Sequence, residues 1–262
     1  MLADVFENGE SIRKYCLQNQ ITIAEAMQRR EEHLSERSRE EIRAEMYKNL
    51  VVMRESVRKG LSERVESVSG LSGGEAMRLF KYGKLNPFSG TNACRAAASA
   101  MAVVEVNASM GCIVAAPTAG ASGILPGVLI ESAHERGWTD DQLVDALFTA
   151  GAIGLIFAKN ATISGAGGGC QAETGVAAAM AAAALVEISG GAAVQALDAA
   201  AMAIKNVLGL VCDPVAGLVE CPCIKRNALG AVNAMICADM ALSGVTSLIP
   251  FDEVVATMYQ VG

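Results

Sequence analysis

Residues 164–191, SGAGGGCQAETGVAAAMAAAALVEISGG, decide the fold expected of this chain. After its glycines the stretch is dominated by alanine, the residue with the highest intrinsic helix propensity. Gly190 and Gly191 close it, and glycine is the usual residue just beyond the end of a helix. The stretch therefore predicts a helix over residues 171–188, preceded by a glycine-rich loop.

The chain beyond residue 91 continues this alternation of helix and glycine-rich loop. Apolar residues make up 52% of the 262 residues, but aromatic residues only 4%. Small apolar side chains favour closely packed helices over sheets, and the alternation typical of strands is not found. We therefore expect an all-α fold. Further helices are predicted over residues 93–106, 123–136, 139–157 (opened by TDDQ, typical of a capping box), 192–208 and 225–242.

Residues 1–66 are far more highly charged than the rest of the chain. The sequence TIAE at residues 22–25 is typical of a helix start. The apolar residues that follow are three or four positions apart, as on one face of a helix: Ile42, Met46, Leu50, Met53, Val57 and Leu61. We expect an exposed amphipathic helical segment packed on the main body or on a partner. One domain, 1–262, is predicted, with a charged helical segment, 1–66, and an Ala- and Gly-rich helical body, 67–262.

Charge and hydropathy exclude several classes of protein. The formal net charge of −7 argues against a nucleic-acid-binding surface, which needs a basic patch. The polar N-terminus is unlike a signal peptide. The longest uncharged stretch, 106–130, contains two prolines and four glycines, which would leave backbone groups unpaired in lipid. We therefore expect a cytoplasmic protein that binds neither nucleic acid nor a membrane.

Eight cysteines in a chain without an export signal indicate free thiols or metal ligands rather than a disulfide framework. Cys170, Cys212 and Cys223 each lie in a loop that is punctuated by Gly or Pro and opens toward a predicted helix. Three converging thiolates can hold an iron–sulfur cluster, and such a cluster keeps one iron open for chemistry. Four cysteines have helical or apolar surroundings and are expected to be structural: Cys16, Cys94, Cys112 and Cys237.

The loop at residues 115–127, AAPTAGASGILPG, is the first candidate site. Its small residues let backbone N–H groups approach a ligand, Thr118 and Ser122 add hydroxyls, and the following helix N-terminus attracts anions. These features predict a cradle for a carboxylate or phosphate. The alternative is a tight connection between two helices. The loop is not a Walker A motif, because no Gly-Lys-Ser/Thr ends it.

The loop before Cys170 is the second candidate. Ordering three consecutive glycines, 167–169, has a large entropic cost, so the backbone there must serve a purpose. Cys170 follows them at the predicted start of a helix, where the helix dipole lowers the pKa of a thiol and favours the thiolate. The alternative is a small buried cysteine beside a flexible turn.

The third candidate is GLVCDPVAGLVECPCIKRN, residues 209–227. Pro214 and Pro222 stiffen this loop and limit the geometry of its thiols, but the C-x-x-C spacing of ferredoxins is absent. Cys221 and Cys223 are two positions apart, and we expect one ligand from this pair rather than two. With only two histidines in the chain, a His-based zinc site or a Ser-His-Asp triad is not easily assembled.

Three runs of the chain carry a family resemblance: EVNASMGCIVAAPTAGASGILPGVL at 105–129, SGAGGGCQAETGVAAAMAAAALVEISGG at 164–191 and GLVCDPVAGLVECPCIKRNALGAVNA at 209–234. They resemble the α chain of the iron–sulfur-dependent bacterial L-serine dehydratases. The resemblance extends from about residue 67 to the C-terminus and is densest in the loops.

The resemblance implies a [4Fe–4S] cluster held by Cys170, Cys212 and Cys223, with the fourth iron free for substrate. Cys221 departs from the apolar residue expected before the proline. The implied reaction eliminates water from L-serine: the open iron acts as a Lewis acid on the hydroxyl, a base removes the α-proton, and the product hydrolyses to pyruvate and ammonia. Seven residues are the expected substrate contacts: Thr118, Ala119, Gly120, Ser122, Gly123, Ser164 and Asn227.

The base that removes the α-proton has three candidates beside the cysteines, Lys225, Glu173 and Asp213. Each can instead support the ligands from behind. The resemblance also implies a β chain with a regulatory domain, which is a further source of the base. The resemblance further implies that the enzyme is oligomeric and acts in amino-acid degradation and gluconeogenesis. It also implies that oxygen damages the cluster.

Three other functions remain open on the sequence alone. A related lyase acts on L-cysteine, which differs from serine by one atom, with the same type of cluster. A non-catalytic iron–sulfur scaffold or electron carrier needs a fourth thiolate and no substrate cradle, so the TAGASG loop argues against it. The last is a glycine-rich helical binding module in which the cysteines are structural.

Overall fold

In the computed structural model, which describes residues 6–262, the chain is built from helices and loops. No β-strand occurs within that range, where an isolated bridge pairs Glu66 with Gly73. The predicted all-α fold is confirmed.

The helices are numbered in chain order. Their bounds are α1 Gly9–Asn19, α2 Ile23–Ser35, α3 Arg39–Ser62, α4 Glu75–Tyr82, α5 Thr91–Ala108, α6 Ile124–Arg136, α7 Asp140–Asn160, α8 Gly165–Cys170, α9 Val176–Ile188, α10 Ala193–Lys205, α11 Cys223–Leu242 and α12 Phe251–Val261. Three short turns complete them: the 3₁₀ turns Ala119–Ala121 and Val215–Gly217, and a π-helical turn, Gln171–Gly175, that joins α8 to α9.

The alanine-rich helix α9 forms the centre of the core. Every residue from 176 to 186 is buried, and the helix packs against α6, α7, α10 and α11. Alanine side chains are small, so the neighbouring helices approach closely and remove apolar surface from water. Glycine allows a similar approach of α6 to α5, because a Cβ on Gly123 would lie 1.9 Å from the carbonyl oxygen of Ala100.

Helices α1 to α3 form the charged N-terminal part. The segment expected to be helical after residue 22 is divided at Glu36, whose φ of 55° lies in the left-handed region and ends α2. Four residues of the predicted apolar stripe are buried: Ile42, Leu50, Met53 and Val57. Helix α3 packs on α5, α6 and α7, so the amphipathic segment covers the body. The division of the domain near residue 66 stays a prediction.

The predicted helices of the body are present, with bounds that shift by a few residues. The TDDQ capping box is confirmed, since Thr139 and Gln142 each accept the backbone N–H of the other. The helix predicted over 171–188 begins earlier, at Gly165, because the Ser164 side chain caps a first turn there. That turn is α8, and it is kinked at Gly169 before the chain continues into α9.

By length and composition alone, two helices of the described residues could cross a bilayer. They are α7 and the continuous run Gly165–Ile188, and 61% and 89% of their most apolar windows are buried inside the protein. Such burial is typical of the core helices of a folded domain.

Candidate active site

Three loops bring Cys170, Cys212 and Cys223 into one site. Cys170 ends α8 and Cys223 begins α11, and both are buried, whereas Cys212 is exposed in the loop before α11. Burial, and then charge on Cys170, Glu173 and Cys212, raises the pKa of the Cys223 thiol to about 11. Because charges act on one another appreciably only at short range, the three thiols and Glu173 are neighbours.

Gly169 sets the direction in which the chain leaves the Cys170 loop. Its φ of 76° and ψ of 173° suit glycine, and a Cβ there would lie 2.7 Å from the carbonyl oxygen of Leu210. The kink lets the backbone N–H of Gln171 donate to that same oxygen, at 3.0 Å. The glycine run therefore joins the Cys170 loop to the loop that carries Cys212.

The pKa of Cys170 differs in direction from the one expected at a helix start. Burial raises this pKa, and the raising effect exceeds the lowering by Arg226, whose Nη1 donates to the Cys170 sulfur at 3.2 Å. The pKa of Cys170 is therefore raised overall, opposite in direction to the lowering expected from a helix start alone, because the residue is only 2% exposed and its thiolate loses hydration. A thiol in this setting ionises when a cation binds it.

The two cysteines of the CPC sequence have different surroundings. Cys223 is buried on the first turn of α11, and Cys221 is exposed. The bond between Cys221 and Pro222 is cis, and the Cys221 carbonyl accepts the N–H of Val215 at 2.8 Å. Charge on Cys170 and Cys212 contributes to the raised pKa of Cys223, the buried member of the pair.

Glu173 lies between the two glycine-rich loops. Its carboxylate accepts a hydrogen bond from the Thr118 hydroxyl. A Cβ on Gly120 would lie 2.6 Å from one carboxylate oxygen, and a Cβ on Gly165 would lie 2.8 Å from the other. Glycine at both positions therefore makes room for the carboxylate, and Thr118, Glu173 and the thiols form one site.

Several residues of the predicted cradle are engaged within the protein. The Ser122 hydroxyl is buried and donates to the carbonyl of Ala119 at 2.7 Å, while Ser164 accepts the N–H of Gly167 and caps α8. The Gly123 N–H donates to Asn227 at 3.0 Å. The part of the cradle closest to Glu173 is thus Thr118 with the turn that begins at Ala119.

Asn227 ties this cradle to the helix of Cys223. It is fully buried, and its Nδ2 donates to the carbonyls of Gly120 at 2.6 Å and Cys223 at 2.9 Å. Its Oδ1 accepts the N–H of Gly123. These three hydrogen bonds hold the 3₁₀ turn and the start of α11 in register, which is a supporting role for a residue expected to contact substrate.

The two other candidate bases, Lys225 and Asp213, contact different parts of the protein. The exposed Lys225 pairs with Glu75 of α4 at 3.0 Å rather than with the thiols. Asp213 accepts from Arg226 at 2.6 Å, and Arg226 also contacts Cys170. Asp213 is therefore linked to the site through Arg226, and Lys225 is directed toward α4.

Arg226 is the site residue that the sequence analysis missed. The helix predicted from residue 225 does not include Cys223, so it gives no reason to group Arg226 with that thiol. The observed helix begins at Cys223, which puts Arg226 and Asn227 three and four positions later, on the same face. Lys225, two positions after Cys223, then points elsewhere. The helix start decides which of these neighbours belongs to the site.

Exposed apolar side chains lie on two loops near the site. One loop precedes α4, and the other carries Cys212. We call this set the apolar rim: Val68, Leu71, Val211, Val215, Leu218 and Val219, each between 38% and 76% exposed. The buried Glu220 joins the two loops, because it accepts hydrogen bonds from Ser69 at 3.0 Å and Ser72 at 2.8 Å. Several exposed apolar side chains on two loops that are joined in this way are typical of a surface that other molecules cover.

Three of the cysteines expected to be structural are buried in helices. They are Cys16 of α1, Cys94 of α5 and Cys237 of α11, and Cys112 is exposed in the loop after α5. Burial raises the pKa of the three buried thiols, to about 12 for Cys16 and about 11 for Cys237. These thiols stay neutral at physiological pH, as expected of small apolar core residues.

The three thiols of the site are soft sulfur donors, the type of ligand that iron–sulfur clusters take. Within residues 6–262, no three Cys, His, Asp or Glu side chains are gathered tightly enough for one metal ion. In a cluster each iron takes its own thiolate, so the three sulfurs need not surround one point. A Cβ on Gly165 would lie 3.6 Å from the Cys212 sulfur, an ordinary contact distance, so this thiol lies beside the start of α8.

Comparisons with known proteins agree with one another. The family model described as "Serine dehydratase alpha chain" matches residues 18–262. "Probable L-serine dehydratase, alpha chain" of Bacillus subtilis is 50% identical over 98% of this chain and 86% of its own length. "L-serine dehydratase, alpha chain" of Peptoniphilus asaccharolyticus is 46% identical over 98% and 89%. "L-serine dehydratase" of Streptomyces coelicolor is 48% identical over 62% of this chain and 36% of its own length.

Proposed function

The chain belongs to the serine dehydratase alpha chain family, and we propose that it is the α chain of an L-serine dehydratase. Such an enzyme is a carbon–nitrogen lyase that converts L-serine into pyruvate and ammonia. The observation that carries the proposal is the meeting of Cys170, Cys212 and Cys223 beside Glu173, inside the region that the family model matches.

The cofactor we propose is a [4Fe–4S] cluster held by Cys170, Cys212 and Cys223. Three soft sulfur donors from three loops support this ligand set. A cluster with three thiolate ligands supplies an iron that serves as a Lewis acid toward a hydroxyl group. Arg226 supports the site from behind, because its guanidinium offsets part of the negative charge that thiolates bring.

Substrate binding is proposed at Thr118 and the turn Ala119–Ala121. Their small side chains let the carboxylate of an amino acid approach backbone N–H groups. The Thr118 hydroxyl already donates to Glu173, so a substrate held here lies next to that carboxylate. Substrate contacts remain predictions for four further residues: Ser122, Gly123, Ser164 and Asn227. Their hydrogen bonds within the protein favour a role in supporting the cradle over direct contact with substrate.

Glu173 is the residue we propose as the general base. It lies between the cradle and the thiols, where it can accept the α-proton of bound serine. Loss of that proton and of the β-hydroxyl gives water and aminoacrylate, which tautomerises to an imine and hydrolyses to pyruvate and ammonia. The pairing of Lys225 with Glu75 and of Asp213 with Arg226 makes both weaker candidates.

A second chain is the proposed partner. The names of two relatives end in "alpha chain", and the matched region makes up 36% of the longer Streptomyces relative. The apolar rim gives such a chain a surface to cover. An oligomeric, cytoplasmic enzyme that acts in serine degradation and loses its cluster in oxygen completes the proposal.

The CPC sequence offers a matched test of the cofactor. The chain is purified without oxygen, with and without a co-expressed second chain, and the iron and sulfide contents and the visible spectrum are recorded. Cys223→Ser is expected to lose the cluster and pyruvate formation from L-serine, whereas Cys221→Ser keeps both. The two variants make the same sulfur-to-oxygen change two positions apart, one at an exposed thiol and one at a buried thiol of the site.

Four results would contradict the proposal. A wild-type chain without iron and sulfide, or a Cys223→Ser variant with a full cluster, would overturn the ligand set. Pyruvate and sulfide formed from L-cysteine in preference to pyruvate from L-serine would assign the related desulfidase reaction. A cluster that turns over neither substrate even with the second chain would indicate an iron–sulfur scaffold.

A further inference from the structure

Gln171 is a buried amide that the proposed chemistry does not use. It directly follows Cys170, begins the π-helical turn and is 1% exposed. A π-turn within a helix often marks a functional site, because the extra residue redirects side chains. A buried glutamine must also find partners for its polar atoms.

The partners of Gln171 lie on two other parts of the chain. Its Oε1 accepts the N–H of Gly209 at 2.8 Å, and its backbone N–H donates to the Leu210 carbonyl at 3.0 Å. Its Nε2 donates to the Met258 carbonyl of α12 at 3.0 Å. One residue therefore holds the chain shortly before Cys212 and the C-terminal helix against the residue next to Cys170.

The backbone segments around the Gln171 side chain are tightly packed. A Cβ on Gly169 would strike the Leu210 carbonyl, and a Cβ on Gly262, just after α12, would lie 2.8 Å from the Cα of Gly168. The three segments are thus packed backbone to backbone around the Gln171 side chain. A small change in that side chain must shift at least one of the thiol-bearing segments.

We propose that Gln171 is a positioning residue that sets the separation of the Cys170 and Cys212 thiols. The inference rests on the proposed function, in which these thiols hold the cluster. Two bonds from one residue to Gly209 and Leu210 hold the Cys212 loop in register with Cys170, and the bond to Met258 makes α12 part of that support. Metal ligands depend on such outer contacts for their orientation.

A second glutamine provides a matched control. Gln195 of α10 accepts the N–H of Ala192 at 2.9 Å and donates to the Ala241 carbonyl of α11 at 3.0 Å. Its side chain likewise accepts one backbone N–H and donates to one carbonyl, but it joins the start of α10 to the last turn of α11, whereas Cys223 lies on the first turn of that helix. Gln171→Leu and Gln195→Leu therefore remove equivalent hydrogen bonds, and only the first touches the thiol loops.

The test measures thiol geometry and cluster retention separately. In the metal-free full chain, a short bifunctional thiol reagent is used to link Cys170 to Cys212, and the linked peptides are quantified by mass spectrometry. In the reconstituted chain, loss of iron to a chelator is followed. Gln171→Leu is expected to lower the linking yield and to weaken cluster retention by about 10- to 100-fold, while Gln195→Leu matches wild type in both.

Thermal unfolding of each variant separates positioning from general destabilisation. Gln171→Glu keeps an acceptor for the Gly209 N–H but no donor for the Met258 carbonyl, so its linking yield is expected to lie between those of Gln171→Leu and wild type. If Gln171→Leu does not fold, a Gln171→Glu yield below that of Gln195→Leu is the expected result. Linking and retention in both Gln171 variants equal to those of Gln195→Leu would overturn the inference. A wild-type chain that takes up no cluster would overturn the proposed cofactor instead, while the linking yields still decide the role of Gln171.

Discussion

Glu173 has a carboxylate within reach of both the thiols and the cradle. Thr118 donates to it, and two glycines leave it room, so its position is defined from three sides. Buried and half-buried carboxylates of this kind are costly to maintain without a partner or a purpose. Its neighbours supply the partner, and the proton abstraction proposed for it would supply the purpose.

Glu173→Gln is expected to lower kcat by about 10²- to 10⁴-fold, the usual contribution of a general base. The amide keeps the shape and an acceptor for Thr118, so KM and the iron content should change little. Steady-state pyruvate formation and iron analysis check this. Lys225→Met is the control, because Lys225 pairs with Glu75 and its loss should leave kcat near that of wild type. The reverse order of the two effects would make Lys225 the base.

At the scale of single residues, the sequence identifies which residue types are candidates but not where each side chain points. Cys223 and Cys221 differ in burial, and Lys225 and Arg226 differ in which neighbour they reach, although each pair is nearly adjacent in the chain. Whether Cys223 shares a helical face with Arg226 depends on whether α11 already includes Cys223, and sequence places a helix start only to within a few residues. That is why Arg226 escaped notice.

At the scale of elements, the glycine run before Cys170 shows that neighbouring glycines serve different ends. Gly169 has a positive φ and faces the Leu210 carbonyl, whereas a Cβ on Gly167 would meet its nearest neighbours at 3.6 Å, an ordinary contact. The entropic cost is the same for both glycines, but only the first cannot be replaced without strain.

Gly169→Ala is therefore expected to destabilise the fold by about 1–3 kcal/mol, from the strained φ and the close carbonyl, and to lose the cluster. Gly167→Ala keeps the backbone conformation and should be neutral or stabilising by up to about 1 kcal/mol. Denaturant unfolding and iron content measure the two effects. Equal stabilities for the two variants would show that the kink can form without glycine.

The elements themselves were largely predictable. Alanine content, capping residues and the three-to-four spacing of apolar residues are local signals, and the structure has helices at each of the places they indicate. The breaks were harder: Glu36 ends α2 in a left-handed conformation, and Gly169 kinks α8, where tertiary contacts rather than propensity decide the backbone.

At the scale of the whole molecule, the apolar rim lies beside the thiol site. Val68 is 76% exposed on one loop, and Leu218 is 39% exposed on the other. Exposed apolar side chains at the mouth of a site leave water when a second protein covers them, which also shields the site from solvent. The rim thus links the partner proposed for this chain to the chemistry of the site.

Val68→Asp and Leu218→Asp are expected to weaken association with the second chain, each by about tenfold or more if they are central to the interface. Co-purification and sedimentation of the co-expressed chains measure this. Val194→Asp on α10 is the control, since Val194 is 48% exposed but lies outside the rim. Equal effects of all three changes, or none, would exclude the rim as the docking surface.

The sequence by itself determined the helical class, most helices, and the three loops whose cysteines form the site, because propensity, capping and glycine placement are local properties. Only the tertiary structure decided which way each side chain points, since burial and packing act between distant segments. It raised the pKa of Cys170 where a helix start alone suggested lowering, and it turned Lys225 toward Glu75. Gln171 and Asn227 hold those loops together through bonds that span the chain.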